Sequence, residues 1–407
     1  MWKELNPYDK WMFGVLLLLT AATNTSTGGA SIGIVLGALV MLVQGIRTRA
    51  LPRVDRGIGT VILIHTLLWA AVSAFSLEPA HSFKELWGTT YRFLPLFFAM
   101  LYLREKWQLR WIWLVFALSV FVDEGKAIWQ YATFQDLGWG HRATGFNHSP
   151  TFLASHMLMA IPVLVFAAGR EYMKPWDRRF LCLAAALALL VLILSGTRGG
   201  WLAFLGTAAI YAVFDRAYRR RGLLALSCLV LALGLAAAVS PAFQARLVTL
   251  TDPAYHSNQE RLLMWQSAAQ IIHDYPVTGV GMDVFGVVYN TKYISPLARE
   301  RAGDPKDPTT GHGHPHNNFL KMFSEGGLLG LGAFLLLHGY FFWRFLRLRR
   351  GEKHPFPYGL MGILVLVALL LEGMTDTNMN QVPIMREYWL LSGTVFAAAR
   401  LEGIADG

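Results

Sequence analysis

The chain has 407 residues, 54% of them hydrophobic and 15% charged. Soluble domains carry about 25% charge, so the composition excludes an ordinary water-soluble globule, and apolar runs from end to end point to the bilayer as solvent. The formal net charge of +10 does not imply a nucleic-acid partner, because the basic residues cluster in short loops between apolar runs, where membrane topology accounts for them.

In chain order, apolar segments are predicted as spans at 11–23, 29–45, 57–75, 86–103, 111–131, 150–168, 179–195, 199–215, 222–240, 323–345, 356–373 and 382–399. At about 1.5 Å per residue each can cross roughly 30 Å of hydrocarbon, some only with thinning or re-entrant ends. The expected fold class is therefore an all-α integral membrane protein of about twelve transmembrane helices. The first run is read as a retained signal anchor, because no small-residue cleavage site and soluble domain follow it. The polar residues from Thr20 to Ser31 leave open whether the first two spans are one broken helix. Cys182 and Cys228 both lie inside apolar runs, which argues against a disulfide framework or a thiolate metal site.

The loops set the orientation. Arg47, Arg49, Arg53 and Arg56 follow the second span, Arg104, Lys106 and Arg110 the fourth, and Arg170, Lys174, Arg178 and Arg179 the sixth. Arg216, Arg219, Arg220 and Arg221 follow the eighth, and Arg344, Arg347, Arg349, Arg350 and Lys353 the tenth. Basic loops stay in the cytoplasm, so both termini are expected there. Residues 1–240 then hold spans 1–9, 241–322 form a periplasmic loop and helical insert, and 323–407 hold spans 10–12. Within the insert, Ser257 to Asp274 reads as an amphipathic helix with Leu263, Trp265, Ile271 and Ile272 as apolar contacts. Pro276-Val-Thr-Gly-Val-Gly281 breaks it, and Ala302 to Pro315 is expected to be irregular.

Four features on the outer side carry chemistry: Arg142-Ala-Thr-Gly-Phe-Asn-His-Ser-Pro150, Thr197-Arg198-Gly-Gly-Trp201, Arg261, and His312-Gly-His314-Pro-His316-Asn-Asn-Phe-Leu320. Guanidinium forks suit phosphate oxygens, and the glycines beside Arg198 admit a ligand to the backbone. A neutral imidazole accepts a proton from a hydroxyl near pH 7. Pro315 restrains His314 to an extended conformation. Asn317 or Asn318 can cap a helix starting at Phe319, which places His316 at a helix N-terminus that disfavours imidazolium and attracts anions. Other readings stand beside these. Arg142 and Arg198 can be snorkelling residues and Arg261 a solvated charge; the three histidines can be a metal site. Gly279-Val-Gly281 lacks the preceding strand of a dinucleotide site. Arg92 lies within the fourth span and can be a functional charge or half of a structural pair with a carboxylate, and Lys126 lies near Asp123 and Glu124. Glu372, Asp376, Asn378 and Asn380 lie at the outer end of the eleventh span, placed to complete a polar pocket.

These motifs resemble the O-antigen ligase and polymerase superfamily of bacterial envelope enzymes. The resemblance rests on Arg142 to Gly145 leading into a span, Thr-Arg-Gly-Gly at 197–200, Arg261-Leu-Leu-Met-Trp265, Pro276 to Gly281, and His316-Asn-Asn-Phe-Leu320 with Gly326-Gly327 following. It is strongest over residues 140–330. It implies a glycosyltransferase in the bacterial inner membrane, acting on a glycan carried by undecaprenyl diphosphate at the periplasmic face. The implied acceptor is lipid A–core for a ligase, the preferred reading, or another lipid-linked glycan for a polymerase. Beside membrane lipids, donor and acceptor are the expected partners. His316 is the expected general base, with Arg142, Arg198, Arg261, His314 and Asn317 binding substrate, and neither metal nor cofactor is called for. A twelve-helix transporter is a rival reading, opposed by the large insert and the absence of a visible repeat.

Overall fold

The computed structural model describes residues 5–404 apart from 51, 139–140, 215–218, 250–251, 253–254, 303, 305–306 and 308–309. Its described residues are built from helices, with one isolated antiparallel bridge between Gly138 and Arg142. The helices are α1 (Pro7–Ala22), α2 (Thr27–Thr48), α3 (Arg56–Ala74), α4 (Pro79–Thr90), α5 (Leu94–Tyr102), α6 (Lys106–Thr133), α7 (Pro150–Ala168), α8 (Pro175–Leu194) and α9 (Arg198–Phe214). They continue as α10 (Arg219–Val239), α11 (Pro241–Val248), α12 (His256–Asp274), α13 (Phe285–Val288), α14 (Pro296–Glu300), α15 (Asn318–Gly351), α16 (Tyr358–Glu372) and α17 (Val382–Leu401).

Each apolar segment read from the sequence falls on helix, and α1 and α2 are separate. Five helices among the described residues are long and apolar enough to cross a membrane: Thr27–Thr48, Arg56–Ala74, Pro150–Ala168, Arg219–Ala238 and Asn318–Gly351. The predicted span 86–103 is not one helix. It runs through the end of α4, a 3₁₀ turn at Tyr91–Phe93 and α5. Pro95 explains the break: it has no N–H to donate and its ring crowds the carbonyl four residues back, at Tyr91.

The core is dense and aromatic, with Trp69, Trp113, Trp201 and Trp389 almost fully buried. Conversely, Ile32, Val35, Leu36, Leu39, Leu42 and Ile46 of α2 are exposed, an apolar row suited to lipid. The segment between α11 and α15 has its own small core of Met264, Ala268, Ile271, Val280, Val284, Phe285 and Tyr289. On α12 the buried positions are Glu260, Met264, Ser267, Ala268 and Ile271, so of the expected contacts only Ile271 is fully buried. Leu263, Trp265 and Ile272 are half-buried.

One junction positions everything at the insert end of the bundle. α15 is broken at Gly327, whose φ of 57° and ψ of −152° are not helical. A break frees main-chain groups that must find partners, and the Pro276–Gly281 turn supplies them. Val280 N donates to Ser324 O (3.1 Å) and Gly281 N to Glu325 O (2.8 Å). Leu328 N and Leu329 N donate to Pro276 O (2.9 Å) and Val277 O (3.1 Å). A Cβ on Gly279 would lie 2.3 Å from the Glu325 carbonyl carbon, and Gly279 itself has φ +63°. Gly279 therefore serves close backbone approach between insert and α15, while a Cβ on Gly281 would meet the Ser76 and Ser82 side chains.

Candidate active site

His316 precedes α15, and two asparagines stitch that helix start to the 373–379 turn between α16 and α17. Asn317 caps α15 by accepting from Leu320 N (3.0 Å), and its amide donates to Met374 O (3.0 Å). Asn318 N donates to Gly373 O (2.7 Å), while its side chain donates to Asn378 Oδ1 (2.7 Å) and accepts from Met379 N (3.3 Å). The outcome is that His316 Nδ1 lies 3.1 Å from Asp376 Oδ1. His316 adopts the left-handed region at φ 48°, a strained state for a non-glycine residue of the kind concentrated at functional sites.

Burial pushes the Asp376 carboxyl up, but the hydrogen bond and charge of His316 and the Thr377 amide outweigh it and hold it at about 2. The carboxylate is thus ionised at neutral pH and can only accept. Facing a carboxylate that can only accept, the neutral form of the ring carries its proton on Nδ1 and presents a lone pair at Nε2. His314 stacks edge-on against His316 at 4.4 Å between ring centroids. Burial, then the charge of His316, push His314 down to about 4. His312 is lowered by the same two causes and lies 3.6 Å from Glu260.

Beside Asp376 opens a cavity lined by Arg142, Arg198, Arg246, Arg261, Thr375 and Asp376. The three arginines predicted from the sequence meet here, and a fourth, Arg246 of α11, joins them. Arg142 donates to Ser195 O (2.8 Å) and Thr197 Oγ1 (2.8 Å). Arg198 donates to Thr249 O (2.5 Å) and Asn258 Oδ1 (2.9 Å) and lies over the Tyr255 ring. Arg246 donates to Gly196 O (3.2 Å). Arg261 donates to Ser257 Oγ (3.2 Å), and its buried Nε has no partner among the described residues. These bonds go to neutral oxygens. Burial first, then the charge of Arg246, lowers Arg142 to about 10; burial, then Arg261, lowers Arg198. All stay charged at neutral pH, and their repulsion is relieved by an anion.

Other sequence expectations resolve differently. Arg92 donates to the Asn380 carbonyl (2.7 Å), and among the described residues no hydrogen bond to a carboxylate is seen for it. Lys126 pairs with Asp136 (3.3 Å), while Asp123 accepts from Phe146 N (2.8 Å). Glu372 accepts from Ser155 (2.6 Å) and Asn378 (2.9 Å), beneath the site. Asn317 sits at the site, with its side chain holding the scaffold together. Arg246 escaped the sequence reading because it lies on α11, only eight residues long, outside the polar motifs that marked the other three arginines.

No curated protein matches the chain. Residues 183–335 match the family described as O-Antigen ligase, a stretch that carries Arg198, Arg246, Arg261, the Pro276–Gly281 turn and His316. Over this stretch the chain is similar to the O-antigen ligase family.

Proposed function

We propose that the protein is an O-antigen ligase of the bacterial inner membrane. It transfers a glycan from undecaprenyl diphosphate to lipid A–core at the periplasmic face. The basic even-numbered loops support that orientation, with both termini cytoplasmic and residues 241–322 periplasmic. The observation that carries the chemistry is the His316–Asp376 pair set beside a cavity of four arginines.

In this reading the diphosphate of the donor occupies the arginine cavity. His316 Nε2 takes the proton of the acceptor hydroxyl as its oxygen attacks the anomeric carbon. The bond from that carbon to the diphosphate breaks, and the electron pair leaves with the diphosphate. The guanidiniums stabilise the developing charge, the role a divalent cation plays in many glycosyltransferases. Direct attack inverts the anomeric centre. Asp376 holds the imidazole tautomer and offsets the imidazolium that forms, and His316 then releases its proton to solvent.

Two experiments test this. Purified His316→Ala should bind lipid-linked donor yet lose about 10²- to 10⁴-fold in transfer; full transfer by this variant would sink the mechanism. A deletion strain separates the acceptors. Loss of glycan-capped lipopolysaccharide with polymeric lipid-linked glycan retained identifies a ligase, whereas loss of the polymer identifies a polymerase.

A further inference from the structure

Two buried atoms at the His316 site lack partners among the described residues: His314 Nδ1 and Asp376 Oδ2. Asp376 is only 8% exposed. Unpaired polar atoms at such depth are costly. Ligand atoms of His314, His316 and Asp376 all fall within 4.8 Å of one another. Two imidazoles and one carboxylate with an open fourth position form a donor set that suits Zn²⁺. Mg²⁺ and Ca²⁺ prefer oxygen alone. The nearby ammonium of Lys321 is neutralised by Glu325 (2.5 Å) and Asp283 (3.2 Å). The guanidiniums beyond Asp376 weaken capture of any cation, which further favours an ion with strong affinity for imidazole.

We propose that His314, His316 and Asp376 form a site for a divalent transition-metal ion of the Zn²⁺ type, and that filling it inhibits the enzyme. The nitrogen of His316 beside Asp376 is Nδ1. A metal there displaces the Nδ1 proton, and the neutral ring then carries its proton on Nε2. Nε2 becomes a donor and can no longer accept the proton of an acceptor hydroxyl. The inhibitory half rests on the general-base reading of His316; the metal site does not.

Calorimetric titration of ZnCl₂ into metal-stripped, detergent-purified full-length protein reads the site directly, with MgCl₂ run in parallel. One Zn²⁺ per chain is expected with no response to Mg²⁺. The Zn²⁺ isotherm should vanish in His314→Gln and persist in His312→Gln, with elution and melting profiles confirming that both variants are folded. Absence of a Zn²⁺ site in the unaltered protein, or one that His314→Gln and Asp376→Asn both leave intact, overturns the proposal. Transfer assayed on the same samples separates the two halves. A chelator-reversible loss of about 10²-fold or more upholds both. Zn²⁺ bound with transfer undiminished refutes inhibition and the base role of His316 together, while leaving the metal site standing.

Discussion

Trp265 donates its indole N–H to the carbonyl of Pro315 at 2.9 Å. This bond ties α12, which carries Arg261, to the loop that carries His316. Arg261 and the imidazole are thereby held in one frame, although Trp265 and Pro315 lie fifty residues apart in the chain.

Replacing Trp265 with Phe keeps the ring and removes the donor. The Pro315 carbonyl loses its partner, the His316 loop gains freedom, and misplacement of reacting groups is costly. A fall of about 10-fold in kcat is expected, with KM for the donor little changed. Steady-state kinetics on purified protein check this, and a change confined to KM would assign Trp265 to donor binding instead.

Asp376→Asn should be far more damaging than its size suggests. An amide can donate to Nδ1, which stabilises the tautomer with the proton on Nε2 and removes the accepting lone pair. Transfer should drop by about 10²- to 10⁴-fold, while donor binding, followed by a labelled lipid diphosphate, is retained.

Arg246 is expected to behave as a full member of the cavity. Arg246→Ala should weaken donor binding about 10- to 100-fold, the range for a hydrogen bond to a charged group. Arg246→Lys should recover part of that, because the charge returns without the planar fork. Binding isotherms for the two variants beside Arg142→Ala, Arg198→Ala and Arg261→Ala decide the point; unaltered affinity in Arg246→Ala would place it outside the site.

Gly279→Ala tests the junction. The new Cβ meets the Glu325 backbone 2.3 Å away at a φ of +63°. Conformation alone costs about 1–3 kcal/mol, and the clash adds to it. A lower melting temperature and reduced yield are expected. Gly313→Ala, where a Cβ has open space, serves as the control.

The pH dependence of stability follows from His314. Its folded value of about 4 lies below the ordinary 6.5 because burial disfavours the imidazolium. The unfolded chain therefore binds more protons in that window, and stability is full above about 6.5 and falls as pH drops toward 4. Melting temperatures across that range should decline for the unaltered protein and decline less for His314→Gln. Identical slopes would mean that His314 is not buried in solution.

Much of this was legible in the chain. Apolar runs, basic loops and the turn-rich insert gave an all-helical membrane protein, because helix hydrophobicity and loop charge are local properties. The arginines at 142, 198 and 261 and the histidine at 316 were also visible, since each sits in a short polar motif beside an apolar run. Only the tertiary structure could decide which residues meet. The partner of His316 lies sixty positions away in a separate turn, brought there by Asn317 and Asn318. Arg246 enters on a helix of only eight residues, outside the polar motifs that marked the other three arginines. Pro276–Gly281 and Gly327 look like loop breakers in isolation, and become a hydrogen-bonded junction only when the insert docks into the break in α15. Long-range pairing of this kind leaves no local pattern, because each partner satisfies its neighbour across space and neither constrains the residues beside it in sequence.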